Sequence, residues 1–229
     1  MRAVCIRFID CEGPGILEPL LREKGYRISY HNAYDPRIQL MPEIHLNFDL
    51  IIMLGGPQSV ADPDKQEFFK PYYEIVENVV ALPNKKLIGI CLGSQIIAHA
   101  LGANVRQGTK GPETGFSDLQ ILKPEHPIFS GLNGESLLAF HLHEDIFDIP
   151  VGADHLLASE FYANQMFSYK NKVFAFQTHI EPTLGMLNVW QNVHKEFIAK
   201  GNGDFTDMLS KQQTMEKNAK IIFRNIINL

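Results

Sequence analysis

The sequence predicts an α/β domain of three layers, with a mostly parallel central sheet, helices on both faces and antiparallel strands at one edge. Three observations carry this. Short β-rich runs alternate with helical patterns over the first hundred residues. The run FDLIIML (residues 48–54) is almost continuously apolar, as strands buried on both faces of a parallel sheet are. After residue 104 the helical pattern lapses and strand-like pieces follow one another closely, which suits antiparallel additions at an edge.

Each element has its own warrant. Residues 2–8 (RAVCIRF) read as a first strand, ended by Gly13-Pro14-Gly15. A helix over 16–24 follows, with Ile16, Leu20 and Leu21 at helical spacing and Gly25 as its stop. Residues 26–30 form the next strand, and the apolar run at 48–54 ends at Gly55-Gly56-Pro57. In a helix over 65–82, Phe68, Tyr72, Ile75 and Val79 form one stripe. Residues 86–90 are a buried strand and 94–101 a helix. Strand-like pieces then fall at 119–122, 137–142, 155–159, 166–169 and 173–176, with Lys170-Asn171-Lys172 as a hairpin turn. A helix over 183–199 and a last one carrying Met215, Ala219, Ile222, Phe223 and Ile226 complete the chain. There is no linker, repeat or low-complexity tract, so residues 1–229 read as one domain.

Composition narrows the function. The chain has 229 residues, 45% hydrophobic and 21% charged, with 21 Lys and Arg against 26 Asp and Glu. That is a globular composition, and a net charge of −5 is not the footprint of a nucleic-acid binder. No apolar run approaches the roughly 18 residues of a membrane-spanning helix, and nothing reads as a signal peptide. Three cysteines make no disulfide framework, so a cytoplasmic setting is expected.

The chemistry centres on Gly89-Ile90-Cys91-Leu92-Gly93, where a buried strand turns directly into a helix. Such an elbow strains the central residue, lifts its side chain above the sheet and needs small neighbours two positions away. A helix N-terminus also favours thiolate. Cys91 is therefore the expected nucleophile, whereas Cys5 in the first strand and Cys11 in a loop read as inert. A nucleophile needs a base and an orienting group. In FAFQTHIEP, His179 ends a strand and Glu181 stands two residues on, on the same face.

His141 and His143 also share a strand face, but no acidic or Cys residue stands at ligand spacing, so no metal is expected. The glycines of QGTKGPETG read as a loop, not a phosphate cradle, and no nucleotide or other cofactor is expected.

These motifs resemble class I glutamine amidotransferases of the triad type, as in the glutaminase half of GMP synthetase. KLIGICLGSQIIAHALGA is similar to the family's G-x-C-x-G-x-Q segment, FAFQTHIEP to its Q-aromatic-H-P-E segment, and DLIIMLGGPQSV to the strand and turn of its oxyanion hole. HLHEDIFDIPVGADHLLASE resembles its H-G-D…P…A-S stretch. The resemblance implies a flavodoxin-like fold and a triad of Cys91, His179 and Glu181. It implies an oxyanion hole from the N–H groups of Gly56 and Leu92, and substrate contacts from Gln95, Leu142 and His143. Thr178, Ile180 and Glu144 depart from the pattern, standing where the family has an aromatic, Pro and Gly. The implied activity is hydrolysis of glutamine or a γ-glutamyl compound through a thioester on Cys91. The ammonia passes to a separate synthetase, or the chain is a free-standing hydrolase. A non-catalytic regulatory module on the same fold is the alternative from another class. A dienelactone-type hydrolase would want its acid before the His in chain order.

Overall fold

A computed structural model describes residues 1–40, 43–201 and 203–229. Its elements alternate as expected in the first half: β1 (Arg2–Arg7), α1 (Leu17–Glu23), β2 (Arg27–Asn32), β3 (Leu50–Met53), α2 (Gln66–Ala81), β4 (Lys86–Ile90) and α3 (Leu92–Ala100). The second half holds β5 (Val105–Gln107), β6 (Glu113–Ile121), β7 (Ser136–His143), β8 (Asp145–Phe147), β9 (Asp154–Ala158), β10 (Met166–Tyr169) and β11 (Val173–Phe176). Helices α4 (Leu184–Val193), α5 (Lys195–Ile198) and α6 (Met208–Asn228) follow.

Nine strands form one sheet in the order β2-β1-β3-β4-β11-β10-β9-β6-β7. The first five are mutually parallel and the last four antiparallel. Alternation along each parallel strand splits the core in two. Ala3, Cys5, Leu50, Ile52, Ile88 and Ile90 pack on the side of α1, α4 and α6. Val4, Ile6, Ile51, Met53 and Leu87 pack on the side of α2 and α3. This is the expected three-layer arrangement.

The antiparallel strands do more than extend an edge. They curl until Phe140 of β7 exchanges two backbone hydrogen bonds, of 2.8 and 2.9 Å, with His179 beyond the end of β11. That closure fixes the backbone of the proposed base. The three-residue turn between β10 and β11 puts Lys170 and Asn171 in the left-handed region, at φ 53° and 51°, and the Lys172 N–H closes it on the Tyr169 carbonyl at 3.3 Å.

Three expectations are corrected. The helix over 183–199 breaks at His194 (φ −103°, ψ 21°) into α4 and α5. Part of the segment read as a glycine loop is strand, because Glu113–Gly115 opens β6 opposite His141–His143. Residues 145–147, where no strand was expected, pair with β5 as a small second sheet.

Candidate active site

Strand order reverses around β1, which lies between β2 and β3. In open α/β sheets ligands bind beyond the carboxyl ends of the strands at such a point. The loops that follow β1, β3, β4 and β11 converge there and carry Glu12, Gly56, Cys91 and His179 respectively.

Cys91 sits between β4 and α3 at φ 50°, ψ −110°, a conformation costing a non-glycine residue about 1–3 kcal/mol. Its N–H is held by the Phe176 carbonyl at 2.7 Å. Small neighbours are obligatory: a Cβ on Gly93 would stand 2.0 Å from the Met53 carbonyl oxygen, and one on Gly89 2.5 Å from Ile97. The Cys91 thiol is 7% exposed and lies 3.8 Å from the Leu142 carbonyl oxygen.

His179 and Glu181 are both buried, with Nδ1 and Oε1 2.7 Å apart. The Trp190 indole packs edge-on against the imidazole at 4.9 Å. Nε2 has no protein hydrogen-bond partner and is left for the thiol. Burial pushes the Cys91 thiol up, opposed chiefly by His179. Burial pulls His179 down, yet Glu181 and then Cys91 carry it well above its ordinary value. The proton of Cys91 thus has a strong acceptor beside it. The other thiols do not compete: burial pushes Cys5 up to about 12 and Cys11 up to about 11.

A cavity of about 360 Å³ opens over Cys91, a volume that suits an amino-acid-sized ligand. Gly56, Gln95, Leu142 and His143, the oxyanion and substrate residues that the resemblance implies, are among the residues lining it. Leu92 is the first residue of α3, so its N–H has no intrahelical acceptor and is free to face an oxyanion. Gln95 Nε2 spans the Asp145 carbonyl and the Gln177 side chain, 3.3 Å from each.

The three departures from the family pattern are accommodated. Thr178 donates its hydroxyl to the Phe140 carbonyl at 3.0 Å, and Ile180 is buried in the core. Glu144 turns its carboxylate to Gln107 at 2.8 Å and needs no left-handed φ.

Two features were not foreseen. Glu12, 6% exposed, lines the cavity on the side of His179 and Glu181. Burial, reinforced by Glu181, pushes its carboxyl up to about 7 against the pull of His179 and the Gly55 N–H. Its sequence signal was an acid in the loop after the first strand, beside the reversal of strand order. Second, His141 and His143 do have an acidic neighbour, Glu113, supplied across the sheet and not along the chain.

The family model for class-I glutamine amidotransferases matches residues 14–189. The chain belongs to that family. The glutamine amidotransferase-like protein YfeJ of Salmonella typhimurium is 32% identical over 182 residues, 76% of this chain and 72% of its own. A subunit of the glutamine-hydrolyzing GMP synthase of Sulfolobus acidocaldarius is 36% identical, over 58% of this chain and 68% of that one. Gamma-glutamyl peptidase 4 of Arabidopsis thaliana is 31% identical, over 59% of this chain and 54% of that one. A crystal structure of a glutamine amidotransferase from Thermotoga maritima superposes with a TM-score of 0.83 at 28% identity, covering 99% of this chain and 96% of that one. Among the described residues, no helix of this amidotransferase-family chain is long and apolar enough to cross a membrane.

Proposed function

We propose that the chain hydrolyses the side-chain amide of glutamine or of a γ-glutamyl compound through a thioester on Cys91. The observation that carries this is a strained, buried thiol that lines an amino-acid-sized cavity and has a buried, carboxylate-oriented imidazole beside it. His179 accepts the thiol proton as sulfur attacks the γ-carbonyl carbon. The N–H groups of Gly56 and Leu92 hold the oxyanion, each such donor contributing about 3–4 kcal/mol to the transition state. The C–N bond breaks as His179 returns its proton to the leaving ammonia or amine. His179 then takes a proton from water, hydroxide attacks the thioester, and glutamate leaves with the Cys91 thiol restored. Glu181 stays ionised and keeps the imidazole in the useful tautomer. Gln95, Leu142 and His143 hold the amino-acid end of the substrate.

The relationship to a GMP synthase component supports transfer of the ammonia to a synthetase partner. A second observation favours a free-standing γ-glutamyl peptide hydrolase. His194 and Phe197 line both the main cavity and a neighbouring depression bordered by Lys195, Glu196 and Lys200. That extension has room, and two lysines against one glutamate, for a peptide carboxylate beyond the scissile nitrogen.

Intact-mass spectrometry during turnover of glutamine and of γ-glutamyl dipeptides tests the proposal. A γ-glutamyl adduct on Cys91, absent in Cys91→Ala, is expected with at least one of them. No adduct with either, also in lysate containing candidate partners, would favour the non-catalytic module.

A further inference from the structure

Behind the cavity wall, β6 and β7 place three side chains together that the proposed reaction does not use as acid, base or nucleophile. Glu113 stands opposite His143 in the antiparallel register, and His141 shares the face of β7 two residues back. All three are buried, with one potential ligand atom each, mutually within 4.8 Å. Glu113 Oε2 lies 3.1 Å from His143 Nε2 and 3.4 Å from His141 Nδ1. Ligands about 2.0–2.1 Å from a tetrahedral ion stand roughly 3.4 Å from one another, so both spacings fit one ion between them.

The surrounding hydrogen bonds point the same way. His143 Nδ1 lies 3.2 Å from the Asp145 carbonyl oxygen, which leaves Nε2 as the atom turned to Glu113 Oε2. A backbone carbonyl on the far nitrogen is also what commonly orients a metal-binding histidine. His141, fully buried, makes no hydrogen bond through either ring nitrogen, and Glu113 Oε1 makes none either. Gln165 donates to Glu113 Oε2 at 2.7 Å and sets the carboxylate's orientation.

From this geometry we infer that Glu113, His141 and His143 bind one zinc ion that ties β6 to β7. Two imidazoles and a single carboxylate suit a borderline ion such as zinc. Calcium or magnesium would want a fuller shell of oxygens. The ion's role is positional: β7 carries the Leu142 carbonyl that faces the Cys91 thiol and the His143 ring that lines the cavity, so zinc holds that wall in place.

The test is titration of chelator-stripped protein with Co(II), then Zn(II), in the Cys91→Ala background, which removes the catalytic thiol as a competing ligand. One equivalent of Co(II) should bind with the visible bands of a tetrahedral site, displaced by Zn(II) and lost in His141→Ala and Glu113→Gln. Zinc at a hundredfold excess over its Kd should raise Tm by about 5–10 °C in the parent and not in those two variants. Because the parent is measured directly, misfolding of a variant leaves the test decisive. Absence of Co(II) bands and of a zinc-dependent Tm in the parent overturns the site. Binding that survives His141→Ala overturns it too. A His143 Nε2 resonance that reports a shared proton and ignores zinc assigns the cluster to an imidazolium–carboxylate pair instead.

Discussion

Glu12→Gln should stabilise the protein at alkaline pH and have little effect at acid pH. The carboxyl is buried beside Glu181, and its pKa stands at about 7 against an ordinary 4.5. Between those values the folded chain holds a proton that the unfolded chain has released, so stability falls as pH rises through the window. At about 1.36 kcal/mol for each tenfold change in proton affinity, the rise from 4.5 to about 7 amounts to about 3 kcal/mol, fully expressed by pH 8. Glutamine at this position cannot ionise, so the variant escapes the penalty. For a chain of this length that is a Tm gain over wild type of about 6–12 °C at pH 8. The gain should shrink steadily as pH is lowered to 4.5. The assay is thermal or urea unfolding of both proteins across pH 4.5–8.5, in which titrating groups remote from Glu12 cancel. A Tm difference that stays constant with pH refutes the argument, because an ionisation unique to wild type must bend it.

Glu181→Gln should lower kcat by about 10²–10⁴-fold with a smaller change in KM, since the imidazole loses the partner that selects its tautomer. An NMR titration of His179 should show its pKa falling, as burial then acts with less opposition. Gly15→Ala should lower kcat through Glu181, because Gly15 has φ +49° and an added Cβ would stand 2.0 Å from the Glu181 carbonyl oxygen, next to the 2.8 Å Ile16–Glu181 backbone bond. Steady-state kinetics together with the Tm of that variant check it; an unchanged kcat would contradict the contact. Lys172→Met should cost about 1 kcal/mol, or 2–4 °C in Tm, because its ammonium caps the Val79 and Leu82 carbonyls at the C-terminal end of α2, 2.8 and 2.6 Å away.

What could be read from the sequence was what is local along the chain. The parallel strands are legible because double burial leaves nearly uninterrupted apolar runs, as in Leu50–Met53 and Lys86–Ile90. The elbow is legible because its steric demand falls on Gly89 and Gly93, two residues to either side of Cys91. His179 and Glu181 are legible because period two puts them on one face. The break in the long C-terminal helix was not, since residues 183–199 keep helical hydrophobic spacing straight through His194. Its bend brings His194 and Phe197 to the cavity, a tertiary consequence with no punctuating Gly or Pro.

The antiparallel half shows why the remaining chemistry was hidden. Within the chain, Glu113 is separated from His141 and His143 by 28 and 30 positions, so no spacing rule can pair them. The register of β6 on β7 does so, and it depends on a strand whose opening residues look like loop because Gly115 lies among them at φ +79°. That glycine sits against Gly203 and Asp204, where a Cβ would meet backbone atoms at 2.6–2.9 Å, so it marks a close backbone approach inside a strand, not a turn. The same curl brings Phe140 onto His179 and the Leu142 carbonyl to the Cys91 thiol. The proposed nucleophile and base are presented by parallel strands, whereas the wall that meets them belongs to the antiparallel strands. In the proposed reaction this wall meets the substrate because the sheet closes, and its residues are found by asking which strand faces Cys91.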